Sequence, residues 1–398
     1  MSQKTALIGG ATGAASIRLV EVLIADPEWS VIGLSRNPPS SPHDRLTYIG
    51  ADLMDAAGTR AALAPHGQIT HAFYTSRAPF KEGGVEDVEA NVAMLGNLID
   101  GLEAAAPNLA HIHLVTGSKW YGIHLGPGPS PAREDALRHM PPNFYYEQQD
   151  LLARRQQGRN WTWSASRPNV IYDFAPQRVR NLVPTIGAWA AISKELGLAL
   201  DYPGHPDSFD AITDMTDATH LARALKWMAT ADTARNQAFN ATDGDFFRWR
   251  HLWRRVADHF EIELGECRPV SAELWMADKQ PVWDRIVERH GLDARPLSDL
   301  AAWGFLDFLT NQRFDVVSSM VKIRQAGFTE TVSSIDKFIE HLASYQEARI
   351  LPREAPSPAS ARLSAPSNRA CAFPRTPSDP RSCPRCSSAR SAPGSGRS

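Results

Sequence analysis

A doubly wound parallel α/β sheet is the fold this sequence predicts, and three observations predict it. Residues 5–9 are an apolar run that ends in glycines and turns at once into a helical pattern. Short apolar segments then recur at residues 30–36, 46–53, 71–76, 111–117 and 161–168, with polar stretches between them. One of those intervening stretches carries Val88, Val92, Leu95, Ile99 and Leu102 at helical spacing, the mark of a crossover helix packed on a sheet. Strands alternating with helices form one sheet with right-handed crossovers, and ligands settle at the carboxyl ends of its strands.

The first element is residues 5–16, T-A-L-I-G-G-A-T-G-A-A-S. The strand breaks at Gly9, and the helix after it places Ile17, Val20 and Ile24 on one face. Gly10, Ala11 and Gly13 are small, so backbone N–H groups can approach a pyrophosphate at the positive end of that helix. Ser16 stands where the third glycine of the pattern belongs. The second strand ends in Ser35 and Arg36. An acid there would hold a ribose 2′-OH, whereas a guanidinium beside a hydroxyl suits a 2′-phosphate, so NADPH is expected over NADH. The third strand ends near Asp52, the fourth at Ser76 and the fifth at Gly117; a helix over residues 143–157 leads to the sixth. This is an NAD(P)-binding Rossmann fold. Its core is expected over residues 1–175, with the rest of the sheet and a smaller, mainly helical substrate lobe over 176–352.

In that second part Phe246, Trp249, Trp253, Val256 and Phe260 form an apolar stripe, with Arg248, Arg254 and Arg255 opposite. Residues 303–308, W-G-F-L-D-F, together with Trp275 and Trp283, either wall an apolar substrate pocket or pack the core. Residues 353–398 hold eight Arg, eight Pro and eleven Ser but only Leu363 and Phe373 as large apolar side chains, and so read as a disordered tail. That tail is net +6, which leaves the remainder near −8. Its lone Cys383-x-x-Cys386 pair lacks the second pair of a structural zinc site, and its arginines have no interleaved aromatics, so neither metal nor nucleic acid is expected. His111 and His113 alternate along a strand, which suits packing better than metal binding. No apolar run approaches eighteen residues and no signal peptide opens the chain, so a cytoplasmic protein without a membrane partner is expected.

The Y-x-x-x-K helix pair of many nucleotide-dependent reductases is missing: Leu125, Gln149 and Asp150 follow Tyr121, Tyr145 and Tyr146 by four. The chain offers instead T-G-S-K-W-Y at residues 116–121 and N-F-Y-Y-E-Q-Q-D at 143–150, both expected above a nicotinamide. These segments, with W-S-A-S-R-P-N-V-I ending at Ile171, F-N-A-T-D-G-D-F-F-R-W at 239–249 and P-V-W at 281–283, resemble the progesterone 5β-reductase and iridoid synthase-like enzymes. That family is an atypical branch of the extended short-chain dehydrogenases, and the resemblance spans roughly residues 5–352. It implies an NADPH-dependent 1,4-reduction of the activated C=C bond of an enone or enal, with a small apolar substrate. It makes Lys119 and Tyr145 the catalytic residues, and places Thr12, Gly13, Ala14, Ser35, Arg36, Asp52, Leu53, Ser76 and Ile171 against NADPH, with Gly10 in the turn and Tyr145 also reaching the cofactor.

The sequence departs from the family pattern at Ser16, at Trp120 in place of a histidine, at Gln149 in place of an acid, and in the loop carrying G-P-G-P at 126–129. The chemistry suits the residues in its own right, because reducing an enone at its β-carbon develops negative charge on the carbonyl oxygen, and a Tyr hydroxyl beside an ammonium answers it. A carbonyl reductase or sugar-nucleotide epimerase or dehydratase would share the cofactor turn, and an epimerase would need the absent tyrosine–lysine helix pair. A non-catalytic NADP sensor would have shed Lys119 and Tyr145. Oligomeric state, a homodimer included, is left open.

Overall fold

A computed structural model of the chain describes residues 3–353 other than 42, 139 and 140; the tail and its Cys383/Cys386 pair lie outside the described residues. Seven parallel strands form the central sheet: β1 (Lys4–Gly9), β2 (Trp29–Ser35), β3 (Leu46–Gly50), β4 (His71–Tyr74), β5 (His111–Val115), β6 (Thr162–Arg167) and the strand Gln237–Asn240. Their spatial order is Gln237–Asn240, β6, β5, β4, β1, β2, β3. This is the Rossmann fold the sequence predicts. The expected strands are present: β1 and β2 start one residue earlier than expected, and β2 to β6 end one to three residues sooner. The rest of the sheet, expected within residues 176–352, is the strand Gln237–Asn240, whose position the pattern does not mark. It is four residues long and buried through Ala238, Phe239 and Asn240, so it shows neither alternation nor length enough to mark it.

Both faces of the sheet are covered, which is why its strands read as continuous apolar runs. Ala6 and Ile8 of β1 face one layer, built on α1 (Ile17–Ile24) and the helix Ala218–Thr230 through Leu19, Leu23, Leu221 and Leu225. Leu7 faces the other layer, where α2 (Ala56–Leu63), α3 (Val88–Ala105) and α4 (Phe144–Gln156) pack through Leu63, Leu95, Ile99 and Leu152. The buried stripe of α1 is Leu19, Val20 and Leu23; Ile17 and Ile24 of the expected face are only half-buried, because the helix starts at Ile17 and its rotation is set by the preceding turn. His111 and His113 of β5 lie between strands and bond Thr162, Ser164 and Ser166 of β6 at 2.7–3.0 Å. Burial pushes His113 down to about 3, so it is a neutral packing partner.

A third core gathers α5 (Leu182–Glu195) with helices Trp249–Phe260, Gln280–His290, Trp303–Thr310 and Ser334–Glu347 around Trp189, Trp253, Trp283 and Tyr345. Phe246 is exposed and does not join the stripe of the helix Trp249–Phe260, because it precedes that helix in a loop; Leu252 and Ala257 complete the stripe instead. The aromatic-rich segment divides by function: Trp283 is core, while Phe305 and Phe308 face a cleft. No helix among the described residues is long and apolar enough to cross a membrane.

Candidate active site

Parallel register brings the strand ends level. Gly9 sits opposite Leu34 of β2 and Tyr74 of β4, and Tyr74 opposite Leu114 of β5. The segments after these residues therefore share one edge. At Gly10 the backbone adopts φ +85°, and a Cβ there would stand 2.7 Å from Ser76 Oγ, so only glycine fits. Gly10 N and Ala11 N both donate to Leu34 O, which locks the turn onto β2. Ser16 is buried with its Oγ 2.6 Å from Thr75 Oγ1, and Thr75 Oγ1 donates to Gly9 O at 2.8 Å. The hydroxyl thus ties the turn to the end of β4, a task a glycine cannot perform.

Eight of the predicted residues, Gly10, Thr12, Gly13, Ser35, Arg36, Asp52, Leu53 and Ser76, line one cleft of about 500 Å³. Ser35 Oγ is buried and lacks a hydrogen-bond partner, and Arg36 is exposed at the rim. Asp52 also accepts from Met54 N at 3.0 Å, so it shapes its own turn. A narrow glycine cradle, an unspent buried hydroxyl and a rim guanidinium fit a phosphorylated dinucleotide.

The other four, Ala14, Lys119, Tyr145 and Ile171, line a second cleft of about 250 Å³, and Arg77 lines both, so the two adjoin. Asn143 caps α4 by accepting from Tyr145 N at 3.0 Å, while its Nδ2 donates to Lys119 O at 3.1 Å. One amide therefore holds both candidate catalytic segments together. Tyr145 Oη lies over the end of β5, where a Cβ on Gly117 would stand only 3.2 Å from it. Burial, then the charge of Glu86, pushes the Tyr145 hydroxyl up to about 12, so at neutral pH it is a proton donor. Lys119 Nζ pairs with Glu86 Oε1 at 2.8 Å.

The departures from the family pattern have a packing reason. Trp120 is buried with the Arg167 guanidinium 3.7 Å over its ring and Tyr146 edge-on at 4.7 Å; Tyr146 Oη donates to its carbonyl. Gln149 Oε1 accepts from Arg167 at 3.4 Å, which itself donates to Tyr121 Oη at 3.0 Å. A flat stacking surface and a neutral amide together accommodate the buried Arg167 beside Tyr121. Sequence reasoning missed Thr75, Arg77, Gly117 and Arg180 in these clefts, and Glu86 and Asn143, which bond Lys119 beside them. Gly117 and Asn143 stood inside the quoted motifs, and that position was the available signal.

Comparisons with known proteins identify the family. The family model described as the PRISE-like Rossmann-fold domain matches residues 44–352. The chain is 36% identical over 369 residues to the (S)-8-oxocitronellyl enol synthase of Nepeta racemosa, covering 88% of this chain and 94% of that one. It is 34% identical over 368 residues to the 3-oxo-Δ(4,5)-steroid 5β-reductase of Arabidopsis thaliana, again covering 88% and 94%. Among solved structures, a Burkholderia cenocepacia protein described as an epimerase superposes with TM-score 0.62 at 14% identity, over 87% of this chain and 99% of that one. Bordetella bronchiseptica WbmG in complex with NAD and UDP does so at 0.61 and 16%, over 88% and 97%. Likeness at that identity speaks to the fold alone, whereas the sequence relatives and the domain match go further: the chain belongs to the PRISE-like Rossmann-fold domain family.

Proposed function

We propose that this protein is an NADPH-dependent reductase of enones or enals, adding hydrogen across the activated C=C bond and leaving the carbonyl intact. The observation that carries the reading is the placement of Tyr145 Oη, a neutral donor over the end of β5, in a cleft that also holds Lys119 and adjoins the dinucleotide cleft. Relatives named as an enol synthase and a steroid 5β-reductase support it.

Gly10, Thr12, Gly13 and Ser76 would hold the cofactor's pyrophosphate region, Ser35 and Arg36 its 2′-phosphate, and Asp52 and Leu53 the wall beside them, with Ala14, Ile171 and Tyr145 at its nicotinamide end. When bound, the reduced nicotinamide supplies hydride. Tyr145 donates its Oη–H to the substrate carbonyl oxygen, where negative charge develops as the C=C bond is reduced, and the Lys119 ammonium adds positive charge beside it. Phe305, Phe308 and Leu309 keep water from the reacting carbon. Because burial pushes the Tyr145 hydroxyl up to about 12, its donor form is expected to persist across the neutral range, with no break in the pH–rate profile from it until the pH nears that value.

Linear, cyclic and steroidal enones assayed by NADPH oxidation test this reading: a saturated ketone or aldehyde product supports it, and oxidation with simple ketones alone refutes it. Arg36→Asp is expected to weaken NADPH binding by roughly 10–100-fold, the loss of a charge-assisted phosphate pair, while sparing NADH. A wild-type enzyme that already prefers NADH would overturn the role given to Arg36.

A further inference from the structure

The cleft around Tyr145 is mixed in character. Ile123, Phe305, Phe308 and Leu309 give it apolar surface, Arg77, Lys119 and Arg180 also line it, and no Asp or Glu does so among the described residues. Glu86, whose charge reaches Tyr145 and Arg180, is paired with Lys119 at 2.8 Å. Arg180 stacks over the Phe305 ring with its guanidinium carbon 4.5 Å from the centroid. Stacking occupies the face of a guanidinium and leaves its in-plane N–H donors open. Arg77 is stacked likewise on Phe80 at 4.0 Å. Loss of water around the Arg180 guanidinium, and then the neighbouring charge of Arg77, weaken its hold on its proton, so the two cations share the cleft at a cost. A site built only for a neutral enone has no use for that arrangement.

We propose that the substrate is a small enone or enal carrying a carboxylate, which Arg180 grips through its in-plane donors with Arg77 beside it. The proposal rests on the enone-reductase reading above and narrows it. A carboxylate matches a guanidinium fork with two parallel hydrogen bonds. The cleft, of about 250 Å³, also takes the nicotinamide end, so the substrate it leaves room for is small. Arg180 lines only the Tyr145 cleft, whereas Arg77 also borders the cleft given to the cofactor's phosphates, so Arg180 is the residue to vary, with the KM for NADPH as the control.

The test compares a linear methyl enone ending in a carboxylate with its methyl ester, in the full-length enzyme and in Arg180→Met. Wild type is expected to favour the acid, and Arg180→Met to cut the acid-to-ester ratio of kcat/KM by about 10–100-fold, chiefly through KM, as for the loss of a charge-assisted pair. A ratio that Arg180→Met leaves untouched, or an effect that falls on the KM for NADPH instead, overturns the proposal while leaving the enone reading standing. Should wild type reduce neither compound, the enone reading is judged separately on the cyclic and steroidal enones, and calorimetry with the saturated keto acid decides the anion site. Binding that Arg180→Met weakens by a similar factor supports it, and no binding to wild type overturns it.

Discussion

Tyr145→Phe is expected to lower turnover by roughly 10²–10³ while changing substrate affinity much less, because the deleted hydroxyl acts mainly on charge that develops in the transition state. Its donor role follows from two features: the hydroxyl is held over Gly117 at the end of β5, and burial keeps it protonated far above neutral pH. Lys119→Met should also slow turnover. If both groups serve one oxyanion, the double variant loses less than the two single losses combined. Steady-state kinetics on the two single variants and the double variant measures this directly, and full turnover by Tyr145→Phe would remove the hydroxyl from the chemistry.

Gly117→Val carries the second large effect, and it acts through position. The backbone at Gly117 is extended, so a side chain meets no conformational penalty there. The obstacle is what the side chain would touch: Tyr145 Oη at 3.2 Å and Pro168 O at 3.5 Å from the first added carbon. A shift of the hydroxyl by about 1 Å is enough to cost on the order of 10²-fold in rate. In a Tyr145→Phe background the same substitution should cost little more, since the displaced group is already gone. An equal loss in both backgrounds would show that Gly117 matters for folding or cofactor binding and not for the tyrosine.

The parts of this molecule legible in its sequence share a physical origin. Strands β1 to β6 are buried by helices on both sides, so each announces itself as an apolar run, and parallel topology then places every loop after them on one edge. The fold brings all twelve expected residues into two adjoining clefts, and several of them, Thr12, Ala14, Asp52, Leu53, Ser76 and Ile171 among them, were expected through the family resemblance and not from periodicity. What it did not reveal depends on contacts between residues far apart in the chain. Ser16 reads as a lost glycine until its bond to Thr75, 59 residues on, is seen. Trp120 and Gln149 read as departures until Arg167 is found between them. Arg77 and Arg180 look like ordinary surface charges in sequence, and only the fold puts both in the cleft of Tyr145. Phe246 went astray because three-and-four spacing continues past the true start of its helix at Trp249.

The central claim, that hydrogen is added across the C=C bond with the carbonyl left intact, is tested most directly by reducing an accepted enone with NADPH deuterated at the transferable position and locating the label by NMR. Deuterium at the β-carbon of a saturated ketone is the predicted result. Deuterium at the carbinol carbon of an allylic alcohol, with the C=C bond preserved, would contradict the account.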